Sequence, residues 1–548
     1  MHTLMGHRFL FLSEKIASSF APMLSDVLAN LELPVFTVNP DQVSILKTPH
    51  DLYTNLLGLI KNSQKRIVLS TLYIGTGALE VRLVEAIEQA IRKRNVEVLI
   101  LLDASRGLRH SSLTHSCAGL QQKSMTIQPS QTSATSSCSL LSSLTSYPGV
   151  SVVLYHNPDL RGWLYSLLPS RLNEVIGVQH IKAYVVDDSV LLTGANLSHE
   201  YFTKRQDRAW VFDRLPALAD FYSGLVRTVS RFCYQLTPSG IPVPLSLETD
   251  PKRVSQCTCG YVFMVKILAP SLFTNIFPSL SDYILHKANL KSFKDAFRNA
   301  VATYLDSVRC FHPVPSVFSQ ETYLIPLVQC GPFGIRTEEC FTTRLLQSVA
   351  TAVHKRCHLS LASGYFNLTR AYENLLVDYT LLNPESRLEL LCASPSANGF
   401  LNSPGLSGYI PMAYRESLIK LLSRFDYTRT PQRNSWPLVS EYSRPEWTFH
   451  AKGIWIEQRS SVATEPTTAL TLIGSSNLSY RSLNRDLESL LVVWTKNVNL
   501  KQRILDEKDY LFSSSDCHPV TLTKLVAQSH FRLPWYLRFL HPFLHTLM

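Results

Sequence analysis

Two short stretches of this 548-residue chain carry the same set of chemically active side chains. The first is His180-Ile181-Lys182-Ala183-Tyr184-Val185-Val186-Asp187, followed by Thr193-Gly194-Ala195-Asn196-Leu197-Ser198. The second is His450-Ala451-Lys452-Gly453-Ile454-Trp455-Ile456-Glu457, followed by Gly474-Ser475-Ser476-Asn477-Leu478-Ser479. Eleven residues after each asparagine stands another acid, Asp207 in one case and Glu488 in the other. On a strand, residues two apart share a face, so each stretch presents an imidazole beside an ammonium. The turn of small residues brings an asparagine amide towards that face. A matched acid is what a histidine needs to fix its tautomer and orientation. One His-x-Lys is a common coincidence, whereas this whole set occurring twice is not.

The apolar residues between each lysine and its acid predict buried strands, and the flanking sequence predicts an α/β framework to hold them. Residues 65–73 read as a strand, followed by a helix with Leu79, Leu83, Ala86, Ile87, Ala90 and Ile91 on one face. Residues 96–103 and 150–155 read as further strands, the former rich in Val, Ile and Leu like a covered parallel strand. The pattern returns at an offset of 290: Lys355 to Ser360 echoes Lys65 to Ser70, with a helix over 371–379 and a strand over 388–393. This predicts two copies of one α/β unit, at about 46–240 and 331–505. A leader (1–45), a less patterned linker region (241–330) and a tail (506–548) complete the chain. Residues 108–146, loaded with Ser, Thr and Gln, predict a long mobile surface loop.

Composition narrows the partners. Hydrophobic residues at 45% exclude wholesale disorder, and 53 Lys+Arg against 42 Asp+Glu give a net charge of +11. Such a chain suits an anionic partner: nucleic acid, a phosphorylated substrate or an acidic membrane surface. The eleven scattered cysteines show neither a disulfide framework nor zinc-finger spacing, and no phosphate-binding Gly-x-x-x-x-Gly-Lys loop occurs. No apolar run reaches membrane-spanning length. The first thirteen residues hold no acid and one strong base, Arg8, a poorly formed mitochondrial presequence. Near the other end, residues 531–544 mix aromatics with Arg and His, which fits either a segment in a membrane interface or a last helix packed on the core.

The doubled motif resembles that of the phospholipase D superfamily. Within it, the chain is similar to the mitochondrial CDP-diacylglycerol–glycerol-3-phosphate 3-phosphatidyltransferase (phosphatidylglycerophosphate synthase) family. The resemblance runs from about residue 40 to 505. It is carried by Leu72-Tyr73-Ile74-Gly75-Thr76-Gly77, by Gly194 to Ser198 with Tyr201 to Arg208, by Gly364-Tyr365-Phe366-Asn367-Leu368-Thr369, by Thr448 to Gly453 and by Tyr480 to Glu488. Two departures stand out: Glu457 in place of the second motif's Asp, and Thr-Gly-Ala-Asn in the first turn.

The resemblance implies two tandem phospholipase D-like α/β repeats related by a pseudo-two-fold, sharing one active site. It further implies a phosphatidyl transfer from CDP-diacylglycerol to glycerol 3-phosphate through a phosphohistidine. His180 would be the nucleophile and His450 the acid/base. Lys182, Lys452, Asn196 and Asn477 would neutralise the phosphoryl oxygens, while Asp207 and Glu488 would set the two histidines' protonation states apart. Asp187 belongs to the first motif, where the family's acid is mostly structural. No cofactor or metal is implied. The implied setting is mitochondrial, on an anionic membrane surface, peripheral to the inner membrane and without nucleic acid. Arg106, Arg161, Arg205, Arg208, Arg481 and Arg485 are candidate phosphate clamps. The apolar stretch 157–169 either dips into the membrane or packs on the sheet. The motifs fix the reaction type, whereas the acceptor rests on the resemblance. Water, serine, phosphatidylglycerol or a nucleic-acid phosphodiester are alternatives, and an inactive membrane scaffold is the reading from another class.

Overall fold

The computed structural model describes residues 20–29, 31–110, 134–160, 173–244, 287–351, 356–383, 386–428, 437–459 and 467–548. Two large mixed sheets dominate it. The first contains, in chain order, β1 (Val43–Leu46), β2 (Arg66–Ser70), β3 (Glu97–Asp103), β4 (Val150–Tyr155), β5 (Ala183–Val186), β6 (Ser189–Thr193), β7 (Ala209–Phe212), β8 (Tyr234–Leu236) and β9 (Pro242–Pro244). Their spatial order is β9-β8-β4-β3-β2-β5-β6-β7-β1. The second contains β10 (Thr322–Cys330), β11 (Arg356–Ser363), β12 (Leu388–Ala393), β13 (Leu438–Tyr442), β14 (Lys452–Arg459), β15 (Ala469–Gly474), β16 (Leu487–Thr495) and β17 (Cys517–Pro519). Its order is β10-β16-β15-β14-β11-β12-β13-β17, with the short strand Phe36–Thr37 outside β10 and Ile335–Arg336 also paired to β10.

Both sheets use the same local pairing. β2 runs parallel to β3 and antiparallel to β5, with Ser70 opposite Ala183. β11 runs parallel to β12 and antiparallel to β14, with Ser363 opposite Lys452. Each lysine therefore stands where the first strand of its unit ends.

The period-2 alternation of the strands separates three cores. Val68, Leu99, Leu101 and Val153 enter a central core together with Ala362, Leu391, Trp455 and Leu491 of the second sheet. Their neighbours Ile67, Leu69, Val98, Ile100 and Val152 face outwards, under α1 (Pro49–Asn62) and α2 (Ala78–Arg94). Leu359, Leu361, Leu390 and Ile454 do the same on the far side, under α5 (Thr337–Thr351) and α6 (Arg370–Leu382). The inner faces of the two sheets are thus packed into one continuous core, which fixes one sheet against the other.

Helix placement follows ordinary rules. α1 starts on a Thr48 capping box with Pro49 at its first turn, and α2 ends at Asn95 in the left-handed conformation. α3 (Pro216–Ser230) sends Leu218, Phe221, Leu225 and Val229 into the central core, and α4 (Lys287–Phe311) adds Phe297 and Val301.

Three segments differ from the sequence-based expectation. Residues 134–146, assigned above to a mobile loop, form a helix (Ser137–Leu141) and a 3-10 turn (Ser142–Ser146) with Cys138, Leu141 and Leu144 buried. Three apolar residues at a spacing of three suffice to anchor a segment whose serines otherwise suggest a loop. The Ser137 hydroxyl also donates to the Ile74 carbonyl at 2.5 Å. The linker region contributes α4 and the nine-residue strand β10, buried along its whole length, so the second sheet begins before residue 331. The tail returns β17 to the edge of the second sheet. Residues 1–19, 111–133, 161–172 and 245–286, covering much of the expected leader, loop and linker, lie outside the described residues.

Candidate active site

The two motifs meet through backbone pairing between the sheets. The His180 N–H donates to the carbonyl of Leu487 at 2.8 Å, and Gln179 bridges Leu487. In the other half, Phe449 pairs with Gln206, and the His450 N–H donates to the Gln206 carbonyl at 2.8 Å. Leu487 and Gln206 directly precede Glu488 and Asp207. Each histidine is therefore docked on the residue that directly precedes the other half's acid.

The side chains follow. Nδ1 of His180 lies 3.0 and 2.9 Å from the two carboxylate oxygens of Glu488. Nδ1 of His450 lies 2.6 Å from Oδ2 of Asp207. With Nδ1 held by a carboxylate, Nε2 is the ring nitrogen left for another partner, which at His450 is the Tyr201 hydroxyl. Lys452 Nζ is 2.7 Å from His450 Nδ1 and 3.4 Å from Asp207, while Lys182 Nζ donates to the His180 carbonyl at 2.7 Å. Gly194 makes the approach possible, since a Cβ there would come within 2.6 Å of both the Asp207 carboxylate and Lys452 Nζ.

The asparagines flank these groups. Asn196 donates to the Tyr201 hydroxyl at 3.3 Å, and the Asn477 N–H is held by Ser482 Oγ at 3.2 Å. The side-chain oxygens of Asn196 and Asn477 are buried without a hydrogen-bond partner among the described residues. An amide oxygen left open in this way can accept from a ligand's hydroxyl or N–H group, whereas a phosphoryl oxygen would take the N–H groups of the same amides.

Electrostatics set the site apart. Burial, then the Lys182 charge, pushes His180 well below the usual imidazole value; burial, then Lys452, does the same to His450. Burial lowers Lys182 to about 7 and lowers Lys452 as well. Glu488 is raised by burial to about 7, and burial also raises Asp486 and Glu338 beside it. Burial works on Asp207 in the same sense, but Lys452 and His450 outweigh it and hold this carboxyl below its ordinary value. The two histidines thus have different partners: an ionised aspartate for His450, and for His180 a glutamate near its titration point.

The other expected residues fall in several places. Asp187 lies at the far end of β5 from Lys182. There its carboxylate accepts the N–H groups of Gln64, Lys65 and Arg66 at 2.8, 2.7 and 3.1 Å, tying down the start of β2. Glu457 sits on β14 opposite His358. Arg205 lies over the Tyr201 ring at 4.6 Å, held by Thr448 and Glu200. Arg106 lies over the Tyr73 ring at 4.3 Å and pairs with Glu174. Arg481 is paired with Asp486 at 3.1 Å, and Arg485 donates to the Val175 carbonyl at 2.8 Å. Arg161 lies outside the described residues.

Arg208 is not a phosphate clamp. Its guanidinium is buried between the sheets, bonded to Glu507, Thr471 Oγ1 and the Leu472 carbonyl, and stacked 4.1 Å from the Trp455 ring. An arginine beside a motif acid resembles a substrate contact in sequence; here it joins the two halves. Glu507→Ala leaves that charge unpaired, and a loss of about 3–5 kcal/mol of stability is expected in denaturant unfolding.

Two aromatic residues were not picked out as site residues from the sequence. The rings of Tyr201 and Tyr365 stand edge-on to His450 at 5.2 and 5.0 Å, and the Tyr201 hydroxyl is 3.4 Å from His450 Nε2. Each comes from a different half, so only the assembled fold shows that they flank one ring.

Comparison with known proteins agrees with this architecture. A family model described as "Cardiolipin synthase, PLD-like domain" matches residues 56–223. The crystal structure of phosphatidylserine synthase from Haemophilus influenzae Rd KW20 superposes with a TM-score of 0.63 at 17% identity, covering 96% of this chain and all of that one. Fold and site together are those of a phospholipase D-like α/β protein. More closely, the chain is 33% identical over 494 residues to the mitochondrial CDP-diacylglycerol–glycerol-3-phosphate 3-phosphatidyltransferases of Gallus gallus and Homo sapiens. Both alignments cover 88% of this chain, with 80% of the chicken protein and 79% of the human one. The chain belongs to the CDP-diacylglycerol–glycerol-3-phosphate 3-phosphatidyltransferase family.

Proposed function

We propose that this protein transfers the phosphatidyl group of CDP-diacylglycerol to glycerol 3-phosphate, releasing CMP and phosphatidylglycerophosphate, in the mitochondrion and at an anionic membrane surface. The reading takes residues 46–240 and 331–505 as tandem repeats about a pseudo-two-fold, sharing one site. The observation that carries it is the crossed pairing of His180 with Glu488 and His450 with Asp207. Each half supplies the carboxylate for the other's histidine, so neither half is complete alone.

The chemistry follows from the parts. Phosphodiester oxygens repel nucleophiles; buried Lys182 and Lys452, with the Asn196 and Asn477 amides, offset that charge and the charge that grows in the transition state. Nε2 of neutral His180 attacks the phosphorus that bears the diacylglycerol. The N–P bond forms as the P–O bond to CMP breaks, and protonated His450 passes its proton to the leaving oxygen. The primary hydroxyl of glycerol 3-phosphate then attacks the phosphorus, gives its proton to His450 and displaces His180. The asymmetry of the carboxylates supports this division of roles. Burial and the neighbouring lysines depress both imidazoles in the free protein, but ionised Asp207 works against that at His450 and, once the anionic substrate is bound, favours its imidazolium. Glu488, near its titration point, leaves His180 neutral. Among the described residues no helix is long and apolar enough to cross a membrane.

The test is isotope exchange. Labelled CMP should enter CDP-diacylglycerol in the absence of glycerol 3-phosphate, as a phosphatidyl-enzyme requires; exchange only in the presence of acceptor would refute the covalent route.

A pH dependence follows from Lys182. Burial brings its ammonium down to about 7 in the free protein, so kcat/KM should fall as pH rises through that value and the charge is lost. A bound anionic substrate holds the proton, so the fall in kcat should come at higher pH. A kcat/KM that stays flat to strongly alkaline pH would contradict this role.

A further inference from the structure

The C-terminal helix α8 (Trp535–Leu547) buries Leu537 and His541 and leaves its largest aromatic residues exposed. Leu533, Leu537 and His541, four residues apart, are buried against α7 (Ile410–Tyr427). His541 Nε2 lies 3.2 Å from Ser417 Oγ and from the Ala413 carbonyl, and its Nδ1 lies 2.8 Å from Lys420 Nζ. One turn on, His545 Nε2 is 3.1 Å from the Leu368 carbonyl, and the Asn367 amide donates to the His545 carbonyl at 2.8 Å. The outward face is aromatic: Trp535 is 72% exposed, Phe539 79% and Phe543 63%, with Tyr536 and Leu540 beside them. The patch is continuous, since the Trp535 ring contacts those of Tyr536 and Phe539. Tyr536 also pairs with the Tyr409 hydroxyl. Leu406, 66% exposed, precedes Tyr409 by one turn of the 3-10 helix Gly405–Tyr409 and so lies on the same side.

Two further observations say what covers this face. The last 32 residues, from Cys517 onwards, contain Lys524, Arg532 and Arg538 but no acid; Arg532 pairs with Glu416, and the exposed Lys524 and Arg538 match a negatively charged surface. Trp, Tyr and Phe beside such cations suit the boundary between lipid headgroups and acyl chains. The helix also abuts the site. It packs on the short helix Tyr480–Asn484, and Leu368, which His545 holds, bridges Ser479, two residues past Asn477.

We propose that the outward face of α8, together with Leu406, docks this protein on an anionic bilayer. The histidine-pinned inner face ties that contact to the Asn477 turn, so that a membrane-held donor meets the site from the same side. The face stands on its own exposure; its link to the donor rests on the phosphatidyl-transfer reading.

The test is flotation of the full chain with vesicles of phosphatidylcholine and cardiolipin, and assay on two donors: CDP-diacylglycerol in those vesicles and a short-chain, water-soluble analogue. In the variant W535S/F539S/F543S, vesicle binding should fall at least about tenfold, and turnover of the vesicle-held donor should fall with it. Turnover of the soluble donor and the melting temperature should not change. Phe539→Ser alone should show a smaller loss of the same kind, should the triple variant fail to fold. Unchanged vesicle binding in these variants overturns the proposal, as does a patch-dependent dimer in light scattering with vesicle binding intact. If the wild type floats, the variant does not, and neither donor turns over, the docking face stands and the phosphatidyl-transfer reading falls.

Discussion

His180→Ala should abolish phosphatidyl transfer, by more than about 10,000-fold, because it removes the nucleophile itself. CMP exchange should vanish with it, and intact mass should show no lipid adduct. His450→Ala should differ in kind. CMP is a stable leaving group even without full proton transfer, whereas the glycerol 3-phosphate hydroxyl needs a base to take its proton. The first half-reaction should therefore survive in part, and a phosphatidyl adduct should accumulate on the protein while product formation falls by about 100- to 10,000-fold. His180→Ala should still fold, since Glu488, raised by burial to about 7, can keep a proton when its imidazole partner is gone. An adduct in His180→Ala and none in His450→Ala would exchange the two roles.

The carboxylates should be unequal, and this carries the second large effect. Asp207 holds Nδ1 of His450 at 2.6 Å and lies 3.4 Å from Lys452 Nζ. Asp207→Asn replaces that anion with an amide, leaves Lys452 uncompensated and lets the imidazole take the wrong tautomer, so a loss of about 100- to 10,000-fold in kcat is expected. Glu488→Gln should cost less at neutral pH, about tenfold, because burial already keeps part of this carboxyl protonated. Its sign with pH is definite. Wild-type Glu488 ionises as pH rises through about 7, and the glutamine cannot. The ratio of wild-type to variant activity should therefore widen from about pH 6 to about pH 8.5. A constant ratio across that range would remove Glu488 from the proton inventory.

The sequence carries the reacting groups plainly, because chemistry demands particular side chains at fixed local spacing. His180 with Lys182, His450 with Lys452 and the two asparagine turns are all local patterns, and so is the eleven-residue step to Asp207 and Glu488. What local spacing does not carry is the crossing. Asp207 is 27 residues from His180 in the chain and 243 from His450, yet it binds His450. That exchange depends on Phe449 pairing with Gln206 and Gln179 with Leu487, contacts set by the central core between the sheets rather than by either motif. Tyr201 and Tyr365 escaped for the same reason. Arg208 misled because a buried arginine and a phosphate-binding one look alike until Glu507, 299 residues away, is seen beside it. Serine content concealed the short anchored helix Ser137–Leu141, since three buried apolar residues carry little weight in a polar window.

The most direct measurement is the fate of labelled glycerol 3-phosphate when the purified protein is given CDP-diacylglycerol. One labelled phosphatidylglycerophosphate should form for each CMP released, and both should be lost in His180→Ala. CMP released without labelled lipid would make water or another alcohol the acceptor, and labelled lipid still formed by His180→Ala would mean that the reaction does not pass through this histidine.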